Sequence, residues 1–162
     1  KTLTVEQLTL VAVISDILVP REGDVPSATE VHVPDVIDEW VSAPYEGQQG
    51  DREKILACLQ WLDDEAQLRY QQGFTAVSKD KQLAIIDDIA YQQADLAEEY
   101  LRASDVFSRF RKLVLAAFFC SPEGSKDLGY MGNVAIAGDY PGPTKAAMKH
   151  LNKALEQLGL SL

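Results

Sequence analysis

Residues 107–143 read FSRFRKLVLAAFFCSPEGSKDLGYMGNVAIAGDYPGP, and this stretch decides the fold. Its first sixteen residues carry many large apolar side chains, whereas the remainder is rich in glycine, tyrosine and proline. This change in composition predicts a buried helix followed by a long loop. The other segments of the chain are expected to pack around that helix.

The first half of the stretch has the spacing of a helix with a broad buried face. Apolar side chains recur three and four positions apart, at Phe107, Phe110, Val114, Leu115, Phe118 and Phe119. The helix is expected to end at Ser121 and Pro122, because proline disfavours helical geometry in the residue before it and has no N–H to donate.

The second half, residues 123–143, is predicted to be a long loop, since it holds five glycines, two tyrosines and two prolines. Ordered loops of this length are uncommon unless they are functional, and aromatic residues with prolines argue against simple disorder. Its polar and aromatic side chains are typical of protein interfaces: Tyr130, Asn133, Asp139 and Tyr140. The alternative is a loop that folds back over its own core.

Composition limits the possible functions. With 162 residues, 46% of them hydrophobic, the chain is expected to form one domain over residues 1–162. A net charge of −10 argues against binding nucleic acid or an anionic membrane, because both require a basic face. No apolar run approaches the roughly 20 residues that span a bilayer. The chain starts at a lysine, which predicts a processed amino terminus.

The remaining periodic segments also indicate helices, so the predicted fold is all-α, an irregular bundle of five to seven helices with one long loop near the carboxyl terminus. A capping box at residues 4–7 begins the first helix, and Pro20 follows its end. The other helices are predicted over residues 34–41, 51–74, 79–94 and 144–158. Residues 95–103 are expected to run into the central helix or to hinge near Ser104 and Asp105.

Few residues suggest chemistry of their own. Cys58 and Cys120 are expected to be buried free thiols, with a disulfide as the alternative. His32 is expected to be an exposed loop residue, and His150 an ordinary surface or half-buried one. The acidic run at residues 63–65 is expected to be solvated, because consecutive acids on a helix point in different directions. The serines lack the setting of a nucleophile, and no recognised metal or haem motif is present. We therefore predict no catalytic residue, no metal ligand and no cofactor-binding residue.

Five segments resemble the gluconate 2-dehydrogenase subunit 3 family. Residues 16–20 (DILVP), 25–28 (VPSA) and 33–38 (VPDVID) are similar to the opening motifs of that family. Residues 110–122 are similar to its F-x-x-L-R-x-L-T-L-x-G-Y-F-T-S-P segment, and residues 128–133 to its G-Y-x-G-N element. Two positions depart from the pattern, since Ser27 and Ala117 stand where the family has glycine.

The resemblance implies a small, non-catalytic subunit that pairs with a large FAD-dependent sugar or polyol dehydrogenase of the glucose-methanol-choline (GMC) type. The flavin would belong to that partner, and a cytochrome c often accepts the electrons. The resemblance also implies a periplasmic location, reached with a twin-arginine leader that is absent from this sequence.

Two hypotheses follow. In the first, the chain is an accessory subunit that binds the flavoprotein through the loop and part of the central helix. Its predicted partner-binding residues are Phe119, Tyr130, Met131, Asn133, Asp139 and Tyr140. In the second, the chain is a stand-alone metal-binding protein or enzyme that uses the acidic run at residues 63–65 with His32 or His150.

Overall fold

The structure, a computed structural model, describes residues 2–91, 96–130, 132, 137–139 and 141–161. Within these ranges lie seven α-helices and no β-strand, which confirms the all-α prediction. The helices are α1 (Val5–Leu18), α2 (Val33–Ser42), α3 (Glu46–Tyr70), α4 (Lys79–Ala90), α5 (Glu98–Phe119), α6 (Pro122–Asp127) and α7 (Lys145–Gln157). The chain divides into two compact units, residues 1–130 and residues 131–162. The single domain over residues 1–162 stays a prediction.

Helix α5 is the centre of the first unit, as the sequence predicted, and it contacts α1, α2, α3, α4 and α6. Its predicted apolar face is buried at Phe107, Phe110, Val114 and Phe118. Leu115 and Phe119 are half-buried at the edge of that face. The helix is continuous from residue 98 to residue 119, and Ser104 is buried within it, so the alternative of a hinge there is wrong.

Helix α1 begins with the predicted capping box. The Gln7 backbone N–H donates to the Thr4 hydroxyl, and the Thr4 N–H donates to the Gln7 side chain. These two bonds satisfy donors that the first turn of a helix leaves without intrahelical partners. The inner face of α1 is then buried in the core through Leu10, Val11 and Ile14.

Helix α3 is shifted from its predicted range of 51–74. It begins at Glu46, because a glycine inside a helix costs only about 1 kcal/mol and Gly50 therefore does not stop it. It ends at Tyr70, where Gln71 takes a left-handed conformation with a φ of 57°. Phe74 instead lies in a short 3-10 helix, where its ring is fully buried. Helix α4 ends at Ala90, and residues 92–95 lie outside the described part of the chain.

Residues 122–127 form α6, so the prediction that the loop begins at Glu123 is wrong. The Ser121 hydroxyl accepts a hydrogen bond from the Gly124 N–H, and Pro122 occupies the first turn, where a missing N–H costs nothing. The proline that ends α5 therefore starts the next helix. Gly124 is buried against the end of α5.

The second unit contains α7, which confirms the helix predicted over residues 144–158. The Thr144 hydroxyl caps it by accepting from the Ala147 N–H. Helical spacing places most of its apolar side chains on one face: Ala147, Met148, Leu151, Ala154 and Leu155. No residue of α7 is buried.

Both cysteines are free thiols, but only one is buried. Cys58 lies in the core, where burial raises the pKa of its thiol to about 12. The expectation that Cys120 is buried as well is wrong, because this residue follows the last turn of α5, where the helix reaches the surface.

Candidate partner-binding surface

An apolar groove of about 430 Å³ lies between α2 and the carboxyl half of α5, within the first unit. We call it the α2–α5 groove. It is lined by Val36, Ile37 and Trp40 from α2 and by Leu113, Ala116 and Ala117 from α5. Residues 120–122, where α5 passes into α6, line it as well. The small side chains of Ala116 and Ala117 leave open the space between the two helices.

A chain of hydrogen bonds from the interior holds the Trp40 ring in this groove. The indole Nε1–H donates to Asp51 Oδ2 over 2.8 Å, and Asp51 also accepts two bonds of 2.5 Å from the Arg109 guanidinium. Asp51 is 7% exposed, so its charge requires these partners. The Arg109 bond, supported by the Trp40 bond, holds the pKa of Asp51 below its ordinary value against the opposing effect of burial.

Trp40 is nonetheless a surface residue, because 38% of it is exposed. A tryptophan on a helix is expected from sequence to be a packing residue, and Trp61 is one, since it packs against the core and meets the Tyr100 ring edge-on at 5.9 Å. Trp40 instead combines a fixed orientation with an accessible face. Surface aromatics that are already held in place are favourable anchors for a protein partner.

The structure describes three of the six predicted partner-binding residues. Phe119 is half-buried at the end of α5 and meets the Phe118 ring edge-on at 5.2 Å. Tyr130 is 59% exposed, and its backbone N–H donates to the Ser125 carbonyl after α6. Asp139 is exposed in the second unit. Met131, Asn133 and Tyr140 lie outside the described residues.

Phe119 and Tyr130 therefore belong to the same unit as the α2–α5 groove, at the two sides of α6 in the sequence. Sequence reasoning assigned Trp40 to packing and missed Val36 and Ala116 as surface residues. One signal was available, since two adjacent alanines interrupt the large apolar side chains of α5. Their neighbours across the groove lie more than 70 residues away in sequence, which periodicity does not reveal.

The carboxylates of the acidic run have separate structural partners. Asp63 accepts a 2.8 Å bond from the Phe74 N–H, Asp64 accepts from Gln60, and Glu65 pairs with Arg69. These directions diverge, as expected for consecutive residues on a helix. Within the described ranges, no group of three or more His, Cys, Asp or Glu side chains is arranged to hold a metal ion.

The two histidines are exposed, as the sequence predicted. His32 precedes α2 with a φ of 60°, and its Nδ1 lies 3.6 Å from a carboxylate oxygen of Asp35. His150 is on α7, in the second unit.

Two aspartates of the opening motifs stabilise the fold. Asp16 accepts bonds of 2.9 and 2.7 Å from the N–H and hydroxyl of Thr29, which fastens the connection between α1 and α2. Asp38 is buried and accepts 3.0 Å bonds from the N–H groups of Thr2 and Leu3. The aspartates of these motifs therefore hold the amino terminus and the connection between α1 and α2 in place.

Comparison with known protein families yields a match. A family model described as gluconate 2-dehydrogenase subunit 3 matches residues 5–142. The chain matches no curated protein and no solved structure. Among the described residues, no helix has the length and apolarity needed to cross a membrane.

Proposed function

This chain belongs to the gluconate 2-dehydrogenase subunit 3 family, and from that premise we propose that it is the small, non-catalytic subunit of an FAD-dependent dehydrogenase complex. It binds and stabilises a large subunit of the GMC type that oxidises sugars or polyols. The family description supports the role of a subunit within a larger enzyme.

The α2–α5 groove is the observation that carries this proposal. Subunits that remain associated need apolar surface that their partner covers, and isolated chains expose such surface as a patch. The groove supplies an accessible apolar surface, and Tyr130 is an exposed aromatic side chain in the same unit. The carboxylates at residues 63–65, in contrast, bind partners within the chain and stabilise the fold. The groove is therefore the better candidate for a functional surface.

We further propose where the other components belong. The FAD is bound by the large subunit, and a cytochrome c accepts the electrons from the complex. The complex lies in the periplasm. The small subunit carries the folded large subunit there by means of a twin-arginine leader. These assignments rest on the family resemblance, and the groove supports only the contact between subunits.

Co-expression with a flavoprotein dehydrogenase subunit from the same genome tests the proposal. An affinity tag on the small chain is expected to retain the flavoprotein, and the purified complex is expected to show flavin absorbance and the summed mass by light scattering. The flavoprotein alone is expected to melt at a lower temperature than the complex. A small chain that stays monomeric and retains no flavoprotein would contradict the proposal.

A further inference from the structure

We infer that the α2–α5 groove receives an apolar segment of the flavoprotein subunit that has basic residues on its flanks, with Trp40 as a fixed wall and Cys120 at the contact. This inference rests on the proposed function and specifies where the two subunits meet. It depends on which groups line the groove, which charges surround it and how Trp40 is held.

The lining selects a protein segment over a sugar or polyol. A site for a hydroxylated ligand needs convergent polar groups. Here the Trp40 Nε1–H is already donated to Asp51, which leaves the Ser121 hydroxyl and the Cys120 thiol as the polar side-chain groups of the lining. Most of the remaining lining is aliphatic, so apolar side chains fit the groove better than hydroxyl groups do.

The charged residues next to the lining residues in sequence favour a basic partner over a second copy of this chain. The titratable neighbours in sequence of the lining residues are mostly acidic, with exposed carboxylates at Asp35, Glu39 and Glu123 against one exposed amine at Lys112. Glu30 pairs with Arg21, and His32 lies beside Asp35. A symmetric dimer through this groove would place the same acidic groups opposite each other. A segment with lysine or arginine on its flanks meets complementary charge.

The support behind Trp40 lowers the cost of binding. Fixing a mobile side chain in an interface consumes part of the binding free energy, and a ring that is already held avoids that loss. Asp51 and Arg109 hold the indole from the side of the core, which leaves its exposed face available.

The two cysteines give a direct footprint of the groove. Cys120 lines it and is exposed, whereas Cys58 is 1% exposed in the core. A thiol reagent such as DTNB is expected to modify one thiol of the native free chain rapidly. The co-expressed flavoprotein subunit is expected to slow that reaction at least tenfold, and the Cys120→Ser variant is expected to lose it.

Two matched variants test whether the groove contributes to affinity. Ala116→Glu places a charged side chain on an exposed helical position inside the groove, whereas Ala57→Glu makes the same change on an exposed position of α3 outside it. Both positions tolerate a glutamate in a helix. We expect Ala116→Glu to weaken flavoprotein binding at least tenfold and Ala57→Glu to change it less than twofold, with similar melting temperatures for both free variants.

The outcomes separate this inference from the proposed function. A complex that forms while Cys120 stays reactive, or that binds both glutamate variants equally, would overturn the groove assignment and leave the subunit role intact. Failure of the wild-type chain to bind any co-expressed flavoprotein would overturn both. Protection of Cys120 in the free chain would assign the groove to a second copy or to another part of this chain. Weaker binding at higher salt is also expected, because the flanking charges attract.

Discussion

Asp51 connects the core to the surface through a single carboxylate, since it pairs with Arg109 on α5 and orients Trp40 on α2. Asp51→Asn removes the charge and leaves Arg109 without its ionic partner. Hydrogen bonds to charged groups contribute about 1.5–3 kcal/mol, so we expect the free energy of unfolding to fall by about 2 kcal/mol at pH 7. Urea denaturation measures this, and Glu53→Gln on the same helix, at an exposed position, should change it little.

The pH dependence of that loss has a defined sign. The pKa of Asp51 is lowered in the folded state, chiefly by its bond to Arg109, so its contribution to stability is fully present above the unfolded pKa, about 4. The contribution disappears as pH falls through the lower pKa of the folded state. The difference in free energy of unfolding between wild type and Asp51→Asn should therefore shrink between about pH 5 and pH 2, where such carboxylates titrate. A difference that stays constant would contradict the ionic role of Asp51.

Gly124 is required by a close approach between helices. A Cβ at this position would lie 2.2 Å from the Phe118 carbonyl oxygen, so Gly124→Ala must displace α6 from the end of α5. We expect it to lower the free energy of unfolding by about 1–3 kcal/mol, as overpacked positions do. Gly50→Ala is the matched control, because nothing lies within 4 Å of a Cβ there. Gly50→Ala should raise the free energy of unfolding by about 0.4–1 kcal/mol. Thermal denaturation of both variants and the wild type measures the two changes.

At the scale of elements, the sequence predicts which helices exist better than where they end. The capping box and the apolar face of α5 are local patterns, and both are confirmed. The predicted start of α3 is wrong because Gly50 costs a helix only about 1 kcal/mol and does not interrupt it. The burial of Asp51 in its second turn is not a local feature, because it depends on Arg109, 58 residues away. The groove escapes prediction for the same reason, since it arises from packing α2 against α5.

Helix α6 positions Tyr130 at the surface, and this gives a prediction that separates binding from folding. Tyr130 is 59% exposed, while its backbone N–H bond to the Ser125 carbonyl remains after truncation of the side chain. We expect Tyr130→Ala to weaken binding to the flavoprotein by about 1–2 kcal/mol, because interface aromatics contribute disproportionately. The free energy of unfolding of the isolated chain should fall by less than the free energy of binding does.

Titration calorimetry with the flavoprotein subunit and thermal denaturation of the free chain measure the two quantities. Equal losses of affinity and stability would instead mean that Tyr130 covers the core of its own unit. Tyr140→Ala is expected to act in the same direction as Tyr130→Ala, on the evidence of the sequence alone.

At the scale of the whole molecule, apolar burial is concentrated in one unit. The buried residues of the hydrophobic cluster run from Leu10 to Phe118, and no described residue of the second unit is buried. The family model ends at residue 142, before α7 begins. The stability of the fold therefore depends mainly on residues 1–130, which bears on whether one cooperative domain spans residues 1–162.

Truncation tests this directly. A chain that ends at Tyr130 keeps the whole core and α6, so we expect a cooperative thermal transition within about 4 °C of the full chain, the shift that roughly 1 kcal/mol produces at this size. A chain that ends at Phe119 is the control, because it also loses α6 and the bond from the Ser125 hydroxyl to the Phe119 carbonyl. It should melt clearly lower. If the chain that ends at Tyr130 already melts without cooperativity, residues 131–162 belong to the folding unit, and the single domain predicted from the sequence is supported.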